Sequence, residues 1–390
     1  MLRGRPARYH DGVERALALL DEDLAEEIPV TTYTDVAPLF RGGRHALIAG
    51  RTGSGKTTLL ITLLRDLYEA GHIILHRDDG GLEFLYLLPK IPMTVFIPQG
   101  CDFRVDGNYE LDIIHFEKPT EIVDQVYDSP HPFNVVIYDV YCIDPGVSAE
   151  FYSELFKALI HKCMNTPRGL KEKLVFSIDE LNDLIQPRGM SLTKKHAKVR
   201  ALIEYNIRKL RKHLVTLIAT AHRLNMLGIN VRSQFSYVFL KQSFGWDVYD
   251  FINKSLITAE NRVFWSVLKD ITTLPADYFY LFDYKNNYDK VRFADIPRPN
   301  IKYETQGVIG EAEGGADGQL KARIEQLERQ VTIEHLRRLG LSLSEIGRVL
   351  GVAEPTISIH SREAGETARR FLAGRGVDYD ELLERTGALT

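Results

Sequence analysis

Residues 45–60 read His45-Ala46-Leu47-Ile48-Ala49-Gly50-Arg51-Thr52-Gly53-Ser54-Gly55-Lys56-Thr57-Thr58-Leu59-Leu60. A short apolar run passes through three glycines and opens an amphipathic helix. Gly50, four intervening residues, then Gly55-Lys56-Thr57 is the complete P-loop spacing. The glycines let backbone N–H groups turn inward around phosphate oxygens. The helix that starts near Lys56 aims its positive end at the same anion. Lys56 is placed to reach the β- and γ-phosphates, and the Thr57 hydroxyl to ligate Mg²⁺. The stretch predicts a nucleoside triphosphate site built from Gly50, Arg51, Thr52, Gly53, Ser54, Gly55, Lys56, Thr57 and Thr58, with ATP or GTP as ligand.

The wider chain sets bounds on this reading. Its 390 residues suffice for roughly two to three domains. A net charge of −4 makes no general case for a nucleic-acid or membrane partner, so any such case rests on local patches. Cys101, Cys142 and Cys163 have neither metal-ligand spacing nor pairing logic, which fits a reducing, cytoplasmic setting. The basic start is followed by no apolar leader core. No apolar run approaches the roughly 20 residues of a membrane span, so work at a membrane would need recruitment by a partner.

Residues 1–43 read as an adaptor segment with helical periodicity over 12–27 (Val13, Leu17, Leu20, Leu24). From His45 the pattern alternates. Apolar strands are expected at 46–49, 73–75, 94–97, 135–137, 174–178, 215–219 and 237–240, and helices at 56–69, 149–163, 194–213 and 248–254. Short buried strands alternating with helices predict a mostly parallel, RecA-like α/β sheet over 44–303. Residues 278–282 suggest a late edge strand, and 283–299, rich in Asn, Asp and Pro, a closing loop. Residues 304–319, dominated by glycines and acids, read as a flexible linker, and 320–390 as a small separate all-helical domain.

A second nucleotide motif lies at Lys173-Leu174-Val175-Phe176-Ser177-Ile178-Asp179-Glu180. An apolar strand ending in Asp-Glu is the Walker B arrangement. Asp179 would hold Mg²⁺ and Glu180 would orient and deprotonate the attacking water. The carboxylate directly after the metal ligand, and the lack of an Asn-Lys-x-Asp guanine motif, favour ATP hydrolysis. The next strand ends in Thr220-Ala221-His222-Arg223, and Thr220 and His222 are both candidates to sense the γ-phosphate. The intervening helix, 194–213, has an apolar stripe and a strongly basic opposite face. That face is either solvated or phosphate-facing, and one of Arg200, Arg208 or Arg211 could complete a neighbour's ATP site in trans. The polar tip His76-Arg77-Asp78-Asp79-Gly80-Gly81-Leu82-Glu83 reads as a plain turn, or else as a substrate or subunit loop.

The order of these parts resembles the FtsK/HerA branch of P-loop ATPases, which includes DNA-pumping motors and viral genome-packaging ATPases. The likeness rests on the P-loop, on Asp78-Asp79-Gly80-Gly81-Leu82-Glu83, on Tyr141-Cys142-Ile143-Asp144-Pro145 after an apolar strand, and on the Walker B stretch followed by Ile207-Arg208 and the 214–220 strand. It covers roughly residues 40–300. It implies Lys56 and Thr57 for phosphate and Mg²⁺, Asp179 as metal ligand, Glu180 as base and Arg208 as the trans-acting arginine. It also implies a homo-oligomeric, hexameric ring around double-stranded DNA. The family commonly ends its post-Walker B strand in Thr-Gln, where this chain has Thr220-Ala221-His222.

Residues 332–366 separately resemble a helix-turn-helix, with Gly351 at the tight turn and Pro355 in the first turn of the second helix. Thr356, Ser358, His360, Ser361 and Arg362 would then meet DNA in the major groove. A helical oligomerisation or docking module is the alternative. Together the parts predict an ATP-driven translocase of double-stranded DNA, for viral genome packaging or mobile-element DNA transfer, in the host cytoplasm or virion-associated. A capsid or membrane protein would be a further partner. An ATP-switched DNA-binding regulator and a HerA-like repair helicase are the competing expectations.

Overall fold

The computed structural model describes residues 28–33, 36–142, 144–185, 194–256, 261–285, 287–294 and 296–309. The expected adaptor helix and the C-terminal module, with Thr356, Ser358, His360, Ser361 and Arg362, lie outside them. The strands are β1 (Val30–Thr32), β2 (His45–Ala49), β3 (Ile73–Arg77), β4 (Met93–Pro98), β5 (Asp102–Val105), β6 (Leu111–Phe116), β7 (Phe133–Val136), β8 (Leu174–Ile178), β9 (Thr216–Ala221), β10 (Phe235–Leu240), β11 (Tyr278–Asp283), β12 (Tyr288–Arg292) and β13 (Tyr303–Gln306). The longer helices are α1 (Lys56–Glu69), α2 (Pro119–Gln125), α3 (Pro145–Asn165), α4 (Lys194–Lys212), α5 (Trp246–Ser255) and α6 (Asn261–Thr273).

β2 is buried along its whole length, and its side chains alternate between two cores. Leu47 and Ala49 join Leu155 and Phe156 of α3 and Ile203, Ile207 and Leu210 of α4. Ala46 and Ile48 join Leu59, Leu60, Leu63, Leu64 and Leu67 of α1. Helices therefore cover both faces, as an internal parallel strand requires. Eleven strands form the sheet in the order β1-β12-β11-β10-β2-β9-β8-β3-β7-β4-β6. From β10 to β6 every neighbouring pair is parallel. This is the mostly parallel α/β sheet that the sequence predicts. One strand, β9, stands between the P-loop strand β2 and β8, so the ends of all three meet at one edge of the sheet.

Each expected strand and helix of this core is present. Two outer expectations are corrected. The stretch 278–282 is not an edge strand, because β11 pairs antiparallel with both β10 and β12. Residues 283–299 are not simply a loop. Asp283 accepts hydrogen bonds from the backbone N–H groups of Lys285 (2.7 Å) and Asn287 (2.9 Å), which closes a hairpin into β12. β12 reads as polar because most of its residues are not buried. β13 pairs with β5 in a separate two-stranded sheet, so the expected linker span of 304–319 starts inside a strand. No helix among the described residues is long and apolar enough to cross a membrane.

Two histidines sit inside the sheet. The Leu217 N–H donates to His45 Nδ1 (3.1 Å), so the ring proton is on Nε2, which meets the Ile207 carbonyl at 3.2 Å. His76 Nδ1 lies 3.1 Å from Ser177 Oγ. Burial pushes His45 from 6.5 down to about 4 and His76 down to about 3. Below 6.5 the unfolded chain binds protons that the folded chain refuses. Stability is therefore intact above that value and is lost as pH falls toward 4. The unfolding free energy from denaturant melts is expected to decline between about pH 6.5 and 5, by about 1.4 kcal/mol per pH unit for each histidine at the limit. A stability profile flat over that window would show that neither ring is held neutral.

Candidate active site

The loop after β2 is tied to the ends of both flanking strands. The Gly50 N–H donates to the Ala221 carbonyl (3.2 Å) and the Arg51 N–H to the Gln242 carbonyl (2.9 Å). Gly50 has no room for a side chain: a Cβ there would stand 2.6 Å from Lys241 Cβ and 2.7 Å from Ser54 Oγ. Gly55 enters α1 with φ +82°, a conformation that other residues adopt only at a cost. α1 then begins at Lys56 with no side-chain cap, which leaves the N–H groups of its first turn for a ligand. Arg51, Thr52 and Gly53 are exposed around the rim, and Thr57 and Thr58 are half-buried in the first turn. Ser54 Oγ is buried with no hydrogen-bond partner. A cradle of this shape fits a chain of phosphates.

Under the loop lies a buried lysine that sequence reasoning did not single out. Lys241, at the end of β10, donates to the carbonyls of Ala276 (2.5 Å) and Tyr278 (2.7 Å) and lies 4.5 Å from the centre of the Phe293 ring. It pins the segment before β11 against the P-loop and places a positive charge beneath it.

Opposite the cradle, β8 ends in Asp179 and Glu180. Thr220 Oγ donates to Asp179 Oδ1 (2.5 Å) and accepts from the Glu180 N–H (2.8 Å), so β9 supports both carboxylates. The Thr57 hydroxyl also engages Asp179. Burial pushes Asp179 upward and Asp79 adds to this, against the hydroxyls and Lys56. Glu180 sits at φ +49°, a left-handed turn that aims its side chain back across the site. Its Oε1 is 3.4 Å from Lys56 Nζ, and its Oε2 is 3.4 Å from His222 Nε2. His222 Nδ1 is in turn 3.3 Å from Lys56 Nζ and 3.4 Å from Thr52 Oγ1. Burial, and then Lys56, hold His222 below its ordinary value. The ring stands between Lys56 and Glu180, and Glu180 Oε2 is buried without a hydrogen-bond partner. Burial raises Glu180 to about 7, with Lys56 opposing and Asp179 adding to the rise.

Six expected residues thus converge: Lys56, Thr57, Asp179, Glu180, Thr220 and His222. Thr57 and Asp179 supply adjacent oxygen donors. Among the described residues no group of three or more His, Cys, Asp or Glu side chains forms a metal cage. That donor set fits Mg²⁺, which is usually held by one or two carboxylates together with substrate phosphates. Arg208 is not among the six. It is exposed on α4, next to Ile207, whose carbonyl meets His45 at the start of β2, the opposite edge of the sheet.

The tip after β3 is more than a turn. Arg77, 3 % exposed, donates from Nε to Asp139 Oδ2 (2.8 Å) and from Nη1 to the carbonyls of Asp179 (2.6 Å) and Glu180 (3.3 Å). Its guanidinium lies 4.8 Å from the centre of the Tyr152 ring, and Ser148 Oγ donates to Asp139 Oδ1. Burial works most strongly against the Arg77 charge, but Asp139, Tyr152 and Asp183 together outweigh it and the group is raised above its ordinary value. Asp79 acts on Asp179, Glu180 and His222 together, which places it at the same mouth. An arginine closing an otherwise apolar strand was the available signal for Arg77.

No family model matches the chain, and no curated protein matches it. Solved structures do. The chain is similar to the genome-packaging NTPase B204 of Sulfolobus turreted icosahedral virus 2 in complex with ATP-γS, at 15% identity, with 65% of this chain and 98% of that one covered and a TM-score of 0.41. It is also similar to the bacterial conjugative coupling protein TrwB, at 12% identity, 74% and 94% coverage and a TM-score of 0.46. A third similarity is to VirB4 of Thermoanaerobacter pseudethanolicus, at 10% identity, 66% and 90% coverage and a TM-score of 0.38.

Proposed function

We propose that this chain is an ATP-hydrolysing motor that moves double-stranded DNA, in viral genome packaging or the transfer of a mobile element. The observation that carries the ATPase reading is the convergence of Lys56, Thr57, Asp179, Glu180, Thr220 and His222 on one glycine-lined cradle. The DNA reading rests on the order of motifs along the chain. In this reading the backbone of residues 50–58 holds the phosphate chain and Lys56 neutralises its end. Thr57 and Asp179 hold Mg²⁺, which supplies charge neutralisation on the phosphates when bound. Glu180 takes the proton of the attacking water, and its position near neutrality suits a base working at physiological pH. Thr220 fixes Asp179 and the Glu180 backbone. His222, facing both Lys56 and Glu180, reports whether a phosphate has drawn Lys56 away.

Arg208 is assigned a role in trans. It lies at the sheet edge away from its own cradle, so it reaches a phosphate only in a neighbour, which calls for a ring. Thr356, Ser358, His360, Ser361 and Arg362 of the C-terminal module are assigned to DNA recognition.

Steady-state ATPase activity with and without linear duplex of random sequence tests the reading. Stimulation by the duplex is expected. Arg208→Ala is expected to lose about 10³-fold or more in turnover. Adding Glu180→Gln subunits, which keep Arg208, is expected to restore part of it. Slow turnover indifferent to random DNA, with tight binding only to a particular sequence, would replace the motor with an ATP-switched regulator.

A further inference from the structure

The edge of the sheet opposite the cradle, where the parallel strands begin, is strongly basic. Arg41 precedes β2, Lys171 and Lys173 precede β8, and Lys209, Arg211 and Lys212 end α4 just before β9. These three strands are neighbours in the order β2-β9-β8, so cations from three separate segments stand side by side. Their fields overlap on the local histidines. After burial, Lys171 and Lys209 both hold His213 down, and Arg211 acts on His45. Of the acids at this edge, Glu172 is engaged by Arg168 and Glu204 by Arg200, each at 2.7 Å, while Glu69, at the end of α1, is exposed. Among the described residues no carboxylate lies within ion-pair distance of Arg41, Lys173, Lys209, Arg211 or Lys212.

Aromatic rings stand among these cations. Tyr205 on α4 is 57% exposed, with Lys209 Nζ 4.5 Å from its ring centre. Tyr284, at the turn between β11 and β12, is 54% exposed, with the Arg44 guanidinium 5.2 Å from its ring centre. The negative end of α4 accounts for some of the charge in its last turn. It does not account for Arg41 or Lys173, which come from other segments, whereas Lys171 donates to the Cys163 carbonyl in the last turn of α3 (3.2 Å). Gathering unpaired cations costs Coulomb repulsion, which a polyanion relieves. In a chain whose net charge is −4, such a concentration needs a local reason.

We propose that this basic edge is a sequence-independent docking surface for the phosphate backbone of double-stranded DNA, carried by the ATPase domain itself. The proposal rests on the DNA-motor reading and adds to it a second contact, apart from the C-terminal module.

The test uses the full chain and a random-sequence 40-base-pair duplex, followed by fluorescence anisotropy over a salt series. The variants are the triple reversal Arg41→Glu/Lys173→Glu/Lys212→Glu and the milder triple replacement by Gln. None of the three residues touches the cradle, so DNA-free ATP turnover and the melting midpoint serve as controls. Counterion release adds over contacts, so the slope of log K against log salt reads this edge even while other parts of the chain bind DNA. Each lost phosphate contact is expected to flatten the slope by roughly 0.9, and the Gln triple by about 2–3. At roughly 0.1 M salt the reversal is expected to weaken binding at least about tenfold. Wild-type affinity and slope in both triples would overturn the proposal and leave the motor reading standing. A wild-type chain that neither binds nor responds to random duplex would overturn both. A changed oligomeric state with unchanged DNA affinity would reassign the edge to a second copy of the chain, and so overturn it as a DNA surface.

Discussion

Glu180→Gln is expected to bind ATP at least as tightly as the wild type and to turn it over about 10²–10⁴-fold more slowly. Gln has the shape of Glu, so the left-handed turn held by Thr220 and Arg77 remains. Asp179 and Thr57 are untouched. The change removes the charge 3.4 Å from Lys56 Nζ, which in the nucleotide-free chain competes with a phosphate for that ammonium. Binding is therefore expected to be unchanged or tighter while the base is lost. Titration with a fluorescent nucleotide and single-turnover hydrolysis separate the two effects. The ionised carboxylate is the active form, so wild-type kcat/KM is expected to rise with pH through an apparent value near 7. Single-turnover hydrolysis within tenfold of wild type would place the base elsewhere, with His222 the next group in reach of the site.

What could be read in the sequence divides along physical lines. β2, β8 and β9 are buried on both faces, so their apolar runs announce them. The P-loop and the Asp179-Glu180 pair are contiguous motifs whose chemistry is local. α6 carries a legible signal in Phe264, Val267, Leu268 and Ile271, spaced for one buried helical face. β12 gave little signal because its exposed side chains are polar. The partners of Arg77 were not legible at all. Its contacts with Asp139, Asp179 and Glu180 span 62, 102 and 103 residues, and follow only from β3 lying between β7 and β8. Thr220 and His222 were equal candidates in sequence. In space they do different things: Thr220 braces the carboxylates from below, while His222 faces the Lys56 ammonium.

Arg77→Met is expected to destabilise the fold by about 3–5 kcal/mol, because it leaves Asp139 poorly solvated and without its cation. That alone does not separate folding from function, since a chain this disturbed also loses activity. The double variant Arg77→Met/Asp139→Asn removes both charges and is expected to recover most of the stability. It leaves the Asp179 and Glu180 carbonyls without the guanidinium that holds them. Turnover is therefore expected to stay low while KM for ATP stays near wild type, because the cradle at Gly50–Lys56 does not depend on Arg77. Arg77→Lys sharpens the distinction. A single ammonium can serve Asp139 or the two carbonyls, but it lacks the fork that serves both. It is expected to keep more of the stability than Arg77→Met and still to lower kcat about tenfold or more. Urea melts beside kcat and KM for the three variants read each effect separately. Wild-type kcat in the double variant would reduce Arg77 to a core ion pair. Its loss, with stability restored, makes the guanidinium the part that holds Glu180 in its left-handed turn and so aims the base.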